Sequence, residues 1–339
     1  MEVSNNLKTL GLSSPLNKAD ENLYFSLVDY RNNYFTNNDP ASIIEFYNGF
    51  GNRDQLIQWM RERPKGVPIV REVEGDKEII VVIPTADFNG VYARECRENI
   101  FRGLHIVFVG SGGKADFYFN FAHYVNFGIK KAMEYNPKWV VFSSDDMVKI
   151  DTIKVLQEQL LALDNKRYDV IFTEPSKYHS SLENISKPNF LYFLYYKITN
   201  KHCGRAAINL YKKFEIRYLM SPVSGKFSKL FKKGYLYLEI QDFGIYSSIW
   251  ISKMGDKIYD DTFINAAEDT DLSLIIALGG IRTAKIKYRI GDLIGSSLGT
   301  GIQRSLRSIA GLTYLNYKWR DHIMDPVTYR QHEHGETIK

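Results

Sequence analysis

The chain has 339 residues, with 44% hydrophobic and 24% charged side chains, and its 44 Lys and Arg against 39 Asp and Glu leave a formal charge of +5. A chain of this length and composition buries a large core in one large or two moderate domains, which excludes a disordered protein. So mild a charge gives no support for a nucleic-acid partner and fits an anionic small substrate or a membrane surface. The only cysteines, Cys96 and Cys203, exclude a disulfide framework and a cysteine-rich zinc site. The first residues lack a basic stretch leading into an apolar core, so no secretory signal is expected, and no apolar run approaches the length of a membrane span. The expected location is cytoplasmic.

Residues 1–38 are polar, Asn-rich and broken by Pro15, and partial order is expected there. Asp39 and Pro40 mark a helix start, and a second helix is expected over 54–63, stopped by Pro64. From Glu78 the pattern turns to alternating strands and helices. Strands are expected at 79–83, closed by Pro84 and Thr85, and at 104–109, 139–142 and 168–172. Helices are expected near 93–100, 117–135 and 152–163, and a flexible loop at 110–113. Such alternation predicts an α/β fold with a mainly parallel central sheet flanked by helices.

Residues 187–233 interrupt the alternation with aromatic residues from Phe190 to Tyr196 and basic ones at Lys212, Lys213, Lys226, Lys229, Lys232 and Lys233. This insert reads either as a membrane- or sugar-facing surface or as a core helix with a solvated basic loop. Strands follow at 234–240, 244–251 and 281–288. Before the last of these, Leu272, Ile275, Ile276 and Leu278 have helical spacing, with Glu268, Asp269 and Asp271 at the helix start and Gly279 at its end. A Gly/Ser-rich loop spans 291–301, and an amphipathic helix then carries Arg304, Arg307, Lys318 and Arg320. His332 and His334 in the tail have the chemistry of metal ligands but belong to a type of tail that rarely binds anything. The chain thus divides into an N-terminal helical or irregular extension (1–77), a first α/β half (78–175), a second half with the insert and last helix (176–322), and a polar tail (323–339).

The chemistry centres on Asp145 and Asp146, which sit where the buried strand at 139–142 ends, the edge at which α/β sheets hold their ligands. Adjacent carboxylates there either bind a hard divalent cation or cap the next helix. The order of motifs resembles the family 2 inverting glycosyltransferases of the GT-A fold. The resemblance runs from Ile79 to Trp319 and is carried by Ile83-Pro84-Thr85, by Asn126 and Gly128, by Phe142 to Met147 (similar to that family's DXD region) and, most closely, by Ala267 to Leu274 with Gly279 and Gly280.

The resemblance implies a Rossmann-like GT-A domain that moves a sugar from a nucleotide-diphosphate donor to a glycan, lipid-linked or protein-bound acceptor. It implies Mn²⁺ or Mg²⁺ on Asp146 and Asp145, with Asp269 as general base and Glu268 orienting the acceptor or the base. Pro84, Thr85, Asp87, Ser111, Asn126, Asp145 and Arg304 would line the donor site, and Asp292 is a weaker candidate metal ligand. Peripheral contact with a membrane would suit a lipid-linked acceptor. The chain departs from the pattern at Ser144, which stands where the first acid of the DXD motif is expected, and at Val109-Gly110-Ser111, where base-reading acids are expected. Two other readings compete. One is a non-catalytic carbohydrate- or membrane-binding protein on the same fold. The other is a sugar-phosphate nucleotidylyltransferase, which the turn from Pro84 to Gly90, without Lys or Arg, disfavours.

Overall fold

A computed structural model describes residues 40–63, 65–110, 120–174, 180–186, 194, 198, 203–222, 234–264, 266–292 and 302–323. Ser111, the aromatic run of the insert, the Gly/Ser-rich loop after Asp292 and the His332 and His334 pair lie outside the described residues, as do the side chains of Asp292, Arg304 and Arg307.

The core is an α/β layer built on a seven-stranded mixed sheet. Its strands are β1 (Ile69–Val73), β2 (Asp76–Thr85), β3 (Leu104–Gly110), β4 (Trp139–Ser143), β6 (Val170–Phe172), β10 (Phe243–Ser247) and β11 (Thr283–Lys285), in the order β1-β3-β2-β4-β10-β6-β11. Strands β2, β3 and β4 pair in parallel, as do β6 and β11, while β1 and β10 run antiparallel to their neighbours. Strands β3, β4, β6 and β10 are buried along their whole length, as expected of strands covered on both faces.

Alternate residues of the central strands feed two different cores. Ile79, Val81, Ile83, Trp139 and Val141 pack with α3 (Val91–Glu95) and α5 (Ile153–Leu161). Ile80, Val82, Val140 and Phe142 face α4 (Phe121–Met133), α7 (Ser248–Lys253) and α8 (Glu268–Leu278). This is the period-two alternation of a strand distributed between two helical layers. Gly128 lets α4 approach closely, because a β-carbon there would run into the side chains of Val82 and Val109.

A third core joins α1 (Pro40–Asn48), α2 (Arg53–Glu62), α6 (Cys203–Lys213) and the long α9 (Ile302–Ile323). A three-stranded antiparallel sheet, β8 (Leu219–Pro222), β7 (Ser180–Ser186) and β9 (Gly234–Ile240), borders it. Within the expected insert, α6 buries Ala207, Leu210 and Tyr211 against this core, which is the core-helix reading for that part of it. Among the described residues no helix is long and apolar enough to cross a membrane.

Several elements depart from expectation. Strand β1 lies in a stretch expected to be extension; as an edge strand with Arg71 and Glu72 in its middle it shows no apolar alternation. The expected strand over 244–251 stops at Ser247, whose hydroxyl accepts from Ile249 N and starts α7. The expected strand over 281–288 is only β11. Beyond it the chain leaves the ladder, with Ile286 N bonding Phe172 O at 2.9 Å and Glu174 N bonding Tyr288 O at 3.1 Å. The expected loop at 291 begins as β12 (Ile290–Asp292), which pairs with β5 (Met147–Lys149). The helix near 93–100 ends in a π-turn, Cys96–Ile100.

The Gly128 contact yields a direct expectation. Gly128→Ala pushes α4 off the sheet and lowers stability by about 1–3 kcal/mol, measured by urea unfolding, despite alanine's better helix propensity.

Candidate functional site

Strand β4 delivers Ser143, Ser144, Asp145 and Asp146 at the end of the sheet, and β2 delivers Pro84 and Thr85 beside them. The Thr85 hydroxyl donates to Asp145 Oδ2 at 2.7 Å. Asp87 sits in the following turn, where its carbonyl accepts from Gly90 N at 3.0 Å and its carboxylate from Asn89 N at 2.9 Å. Burial is the main cause that raises the Asp145 carboxyl, to about 6. The charge of Asp146 adds to the rise and the Thr85 hydrogen bond opposes it. Cys96, at the head of the π-turn, donates its thiol to the Asp145 carbonyl at 3.3 Å; burial, then Asp145 and Asp146, pushes that thiol up and keeps it protonated.

A third carboxylate reaches the same strand end from the next strand. Phe243 pairs with Ser143, so the residue before it falls beside the residue after Ser143. Ser144 N donates to the Asp242 carbonyl at 2.8 Å and Ser144 Oγ to Asp242 Oδ1 at 3.2 Å. Gln241 and Asp242 are the whole link between β9 of the small sheet and β10 in the large one. The position that lacks an acid in β4 is therefore hydrogen-bonded to one from β10.

The second carboxylate pair opens α8. Ala267 precedes it with φ +70°, a left-handed conformation costly for a residue other than glycine, and no side chain caps the helix. Gly311 of α9 allows close contact with this turn, since a β-carbon there would run into the Ala266 carbonyl. Glu268 is 7% exposed and Asp271 fully buried, while Asp269 is half-buried. Asp271 is held on α9, its Oδ1 accepting from Trp319 Nε1 and its Oδ2 from Lys318 Nζ, both at 2.8 Å. Lys318 also donates to Asp260 Oδ2 at 2.8 Å.

Burial, then the neighbouring Asp269, raises Glu268 to about 8. Its Oε2, with the hydroxyls of Tyr246 and Tyr259, is buried without a hydrogen-bond partner among the described residues. Such atoms call for an ordered water or a ligand group. Burial, then Tyr246, pushes the Tyr259 phenol up, and the charges of Asp269, Glu268 and Asp242 add to the rise.

No known family model and no curated protein matches the chain. The reading of the site therefore stands on its geometry.

Among the residues expected to form the site, Thr85, Asp145 and Asp146 meet at the sheet end, and Glu268 and Asp269 share the start of α8. Asn126 has another set of partners. Its Oδ1 accepts from Ile258 N and Tyr259 N at 3.0 Å each and its Nδ2 donates to Tyr259 O at 2.8 Å, pinning the loop that leads to α8. Asn120 does the same further along, donating to Asp261 O at 3.0 Å and Phe263 O at 2.8 Å. The backbone of Asp292 pairs with Met147, so β12 lies against the exit from Asp146. Sequence reading missed Asp242, Glu239 and Glu183. An acid in the short link between two strands was the available signal for Asp242, whereas Glu183 and Glu239 lie within strands.

Among the described residues, no group of three or more ligating side chains could hold a metal ion. A Mg²⁺ or Mn²⁺ ion that takes one or two carboxylates and completes its shell with phosphate and water still fits Asp145 and Asp146. Glu268 gives the site a pH signature. A carboxyl raised in the native state holds a proton that the unfolded chain has lost, so it reduces stability as pH climbs from its unfolded value, near 4.5, through about 8. Glu268→Gln removes that slope. Its thermal stability matches the parent near pH 4.5 and exceeds it by about 1–3 kcal/mol at pH 9.

Proposed function

We propose that the chain is an inverting, metal-dependent glycosyltransferase of the GT-A type, using a nucleotide-diphosphate sugar. The supporting observation is two carboxylate pairs, Asp145 with Asp146 at the end of β4 in a mixed sheet whose central strands are parallel and Glu268 with Asp269 at the start of α8. Asp242 is hydrogen-bonded beside the first pair and acts with the second on the Tyr259 phenol. The sheet and its helices fit such a fold, and two separated acidic groups fit the two ends of the reaction. A nucleotide sugar presents a diphosphate that wants cationic help and an anomeric carbon that an acceptor hydroxyl must reach.

Asp146 and Asp145 would hold Mn²⁺ or Mg²⁺, whose charge offsets that developing on the leaving diphosphate. Thr85 fixes the orientation of Asp145 by its hydrogen bond. Pro84 and Asp87 shape the turn on the donor side. Asp269, the half-buried member of its pair, takes the proton of the acceptor hydroxyl as that oxygen bonds to the anomeric carbon. The bond from that carbon to the diphosphate breaks on the opposite face, and the nucleoside diphosphate leaves with the electron pair. Glu268, held largely neutral at pH 7, keeps its proton and can offer it as a hydrogen bond to an acceptor oxygen or to Asp269. The acceptor is a glycan, lipid-linked or protein-bound hydroxyl.

Ser144 in an expected acid position favours a second reading, a carbohydrate- or membrane-binding protein without turnover. One experiment separates the two. Thermal unfolding is followed with UDP, GDP, dTDP, CDP and ADP, each with and without Mn²⁺ or Mg²⁺. A diphosphate at about 100 times its Kd adds about 2.7 kcal/mol to stability. A transferase gives a cation-dependent shift with one base, which Asp146→Ala abolishes; a response to none of the ligands supports the second reading. Asp269→Asn keeps the shift and loses transfer by about 10²–10⁴-fold, and unchanged transfer would remove Asp269 from its role.

A further inference from the structure

Glu239 is the chemistry at this end of the molecule that the reaction above leaves unused. It lies near the end of β9 at 4% exposure, where a carboxyl is costly unless its oxygens are bonded. Gln241 Nε2 donates to its Oε2 at 2.7 Å, and the Tyr237 hydroxyl approaches Oε1 at 3.4 Å. The Thr270 hydroxyl lies 2.5 Å from the same Oε1. That hydroxyl is also 3.5 Å from Asp269 Oδ1, which accepts from the Thr270 amide at 2.8 Å. A relay of three oxygens thus runs from β9 into α8: Glu239 Oε1, Thr270 Oγ1, Asp269 Oδ1. Ile240 N, donating to Ser273 Oγ at 3.0 Å, fixes the strand and helix that carry it.

We propose that Glu239 is a positioning residue for the base: through the Thr270 hydroxyl it directs a donor at Asp269 Oδ1 and fixes the orientation of that carboxylate. The inference rests on the transferase reading above. The polarity of the relay follows from charge. Among the described residues, the groups facing Glu239 are Tyr237 and Gln241 from its own stretch, Glu183 from β7, and Thr270 and Asp269 from α8; none is cationic. Burial first, then Asp269 and Glu183, pushes Glu239 above the usual carboxylate range, which favours its protonated form.

The Thr270 hydroxyl lies within donating reach of Glu239 Oε1 and of Asp269 Oδ1; a protonated Glu239 would donate to Thr270 Oγ1 and so turn the threonine hydrogen toward Asp269. Ionised, it would draw that hydrogen to itself, and Asp269 would lose a donor and gain a like charge. A proton on Glu239 would therefore spare Asp269 a like charge and leave it a hydrogen-bond donor to accept from, both of which favour the anion that a general base must be.

The test is a pH profile of nucleoside diphosphate release from the nucleotide sugar selected by the unfolding panel. The parent should lose kcat about tenfold on the alkaline side, with the donor KM unchanged. Glu239→Gln, whose amide can donate to Thr270 as the acid does, should work within about twofold of the parent at pH 7 and keep its rate at alkaline pH. Thr270→Val should lower kcat about tenfold at pH 7 and move the acid limb upward, and Thr270→Ser should restore both. An alkaline fall in Glu239→Gln equal to the parent's, or an unmoved acid limb in Thr270→Val, overturns the proposal.

If the folded chain releases no diphosphate from any donor, the transferase reading falls, and infrared spectra at pH 7 still decide the proton on Glu239. Reduced carboxylic-acid carbonyl intensity in Glu239→Gln supports it; unchanged intensity overturns it.

Discussion

Where α8 begins decides where Glu268, Asp269 and Asp271 point, and that start is fixed from behind by α9. Lys318 and Trp319 take both oxygens of Asp271, and Lys318 ties the same helix turn to Asp260. Gly311 brings the backbone of α9 against Ala266, one residue before the left-handed Ala267. Burial raises the Asp271 carboxyl and Lys318 opposes it, so the pair is a buried ion pair in which each partner needs the other. Losing one member of such a pair costs on the order of 3–5 kcal/mol, because the survivor stays buried and charged. The clamp makes α8 a rigid element. Its next acid, Asp269, can then be half-exposed without being mobile.

The acids of α8 consequently have separate tasks even though they are neighbours in sequence. Asp271 has a cation and an indole, whereas Glu268 Oε2 is buried with no hydrogen-bond partner among the described residues. A helix N-terminus favours negative charge by at most about 2 kcal/mol, too little to ionise every carboxyl gathered here. Protonation resolves the conflict. Burial raises Glu239 and Glu268, whereas Asp271, deeper still, is held by Lys318 and Trp319. Asp269 and Asp146 lie nearer the solvent than Glu239 and Glu268.

Much of the framework was legible because the central strands are continuous apolar runs and the helices between them keep their period. The paired acids at 145 and 146 were legible for the same reason, since a buried strand that ends in two carboxylates leaves them at the sheet's edge. What could not be read was pairing between distant segments. Strand β10 runs antiparallel in the middle of the sheet, and nothing local in Phe243 to Ser247 states its direction. Yet that direction brings Asp242 to Ser144. Glu239 gave no signal within its expected strand, and only the packing of β9 beside α8 brings it to Thr270 and Asp269. Asn126 read as a ligand for the donor, while its amide oxygen accepts two backbone bonds and its nitrogen donates one at 258 and 259. An asparagine side chain carries the same groups as a peptide unit, so the residue type alone does not say which it will meet.

The two outermost strands of the large sheet bear on how the protein behaves in company with itself. Strand β1 presents Arg71 and Glu72 along one margin, and β11, only three residues long, ends at Lys285 on the other. Unpaired margins of this kind invite a second sheet to continue the ladder, and charge and brevity both discourage it. The strands richest in β-branched and aromatic residues lie between them, where no neighbouring molecule can reach their backbones. Charge at one margin and brevity at the other therefore work against edge-to-edge growth of the large sheet.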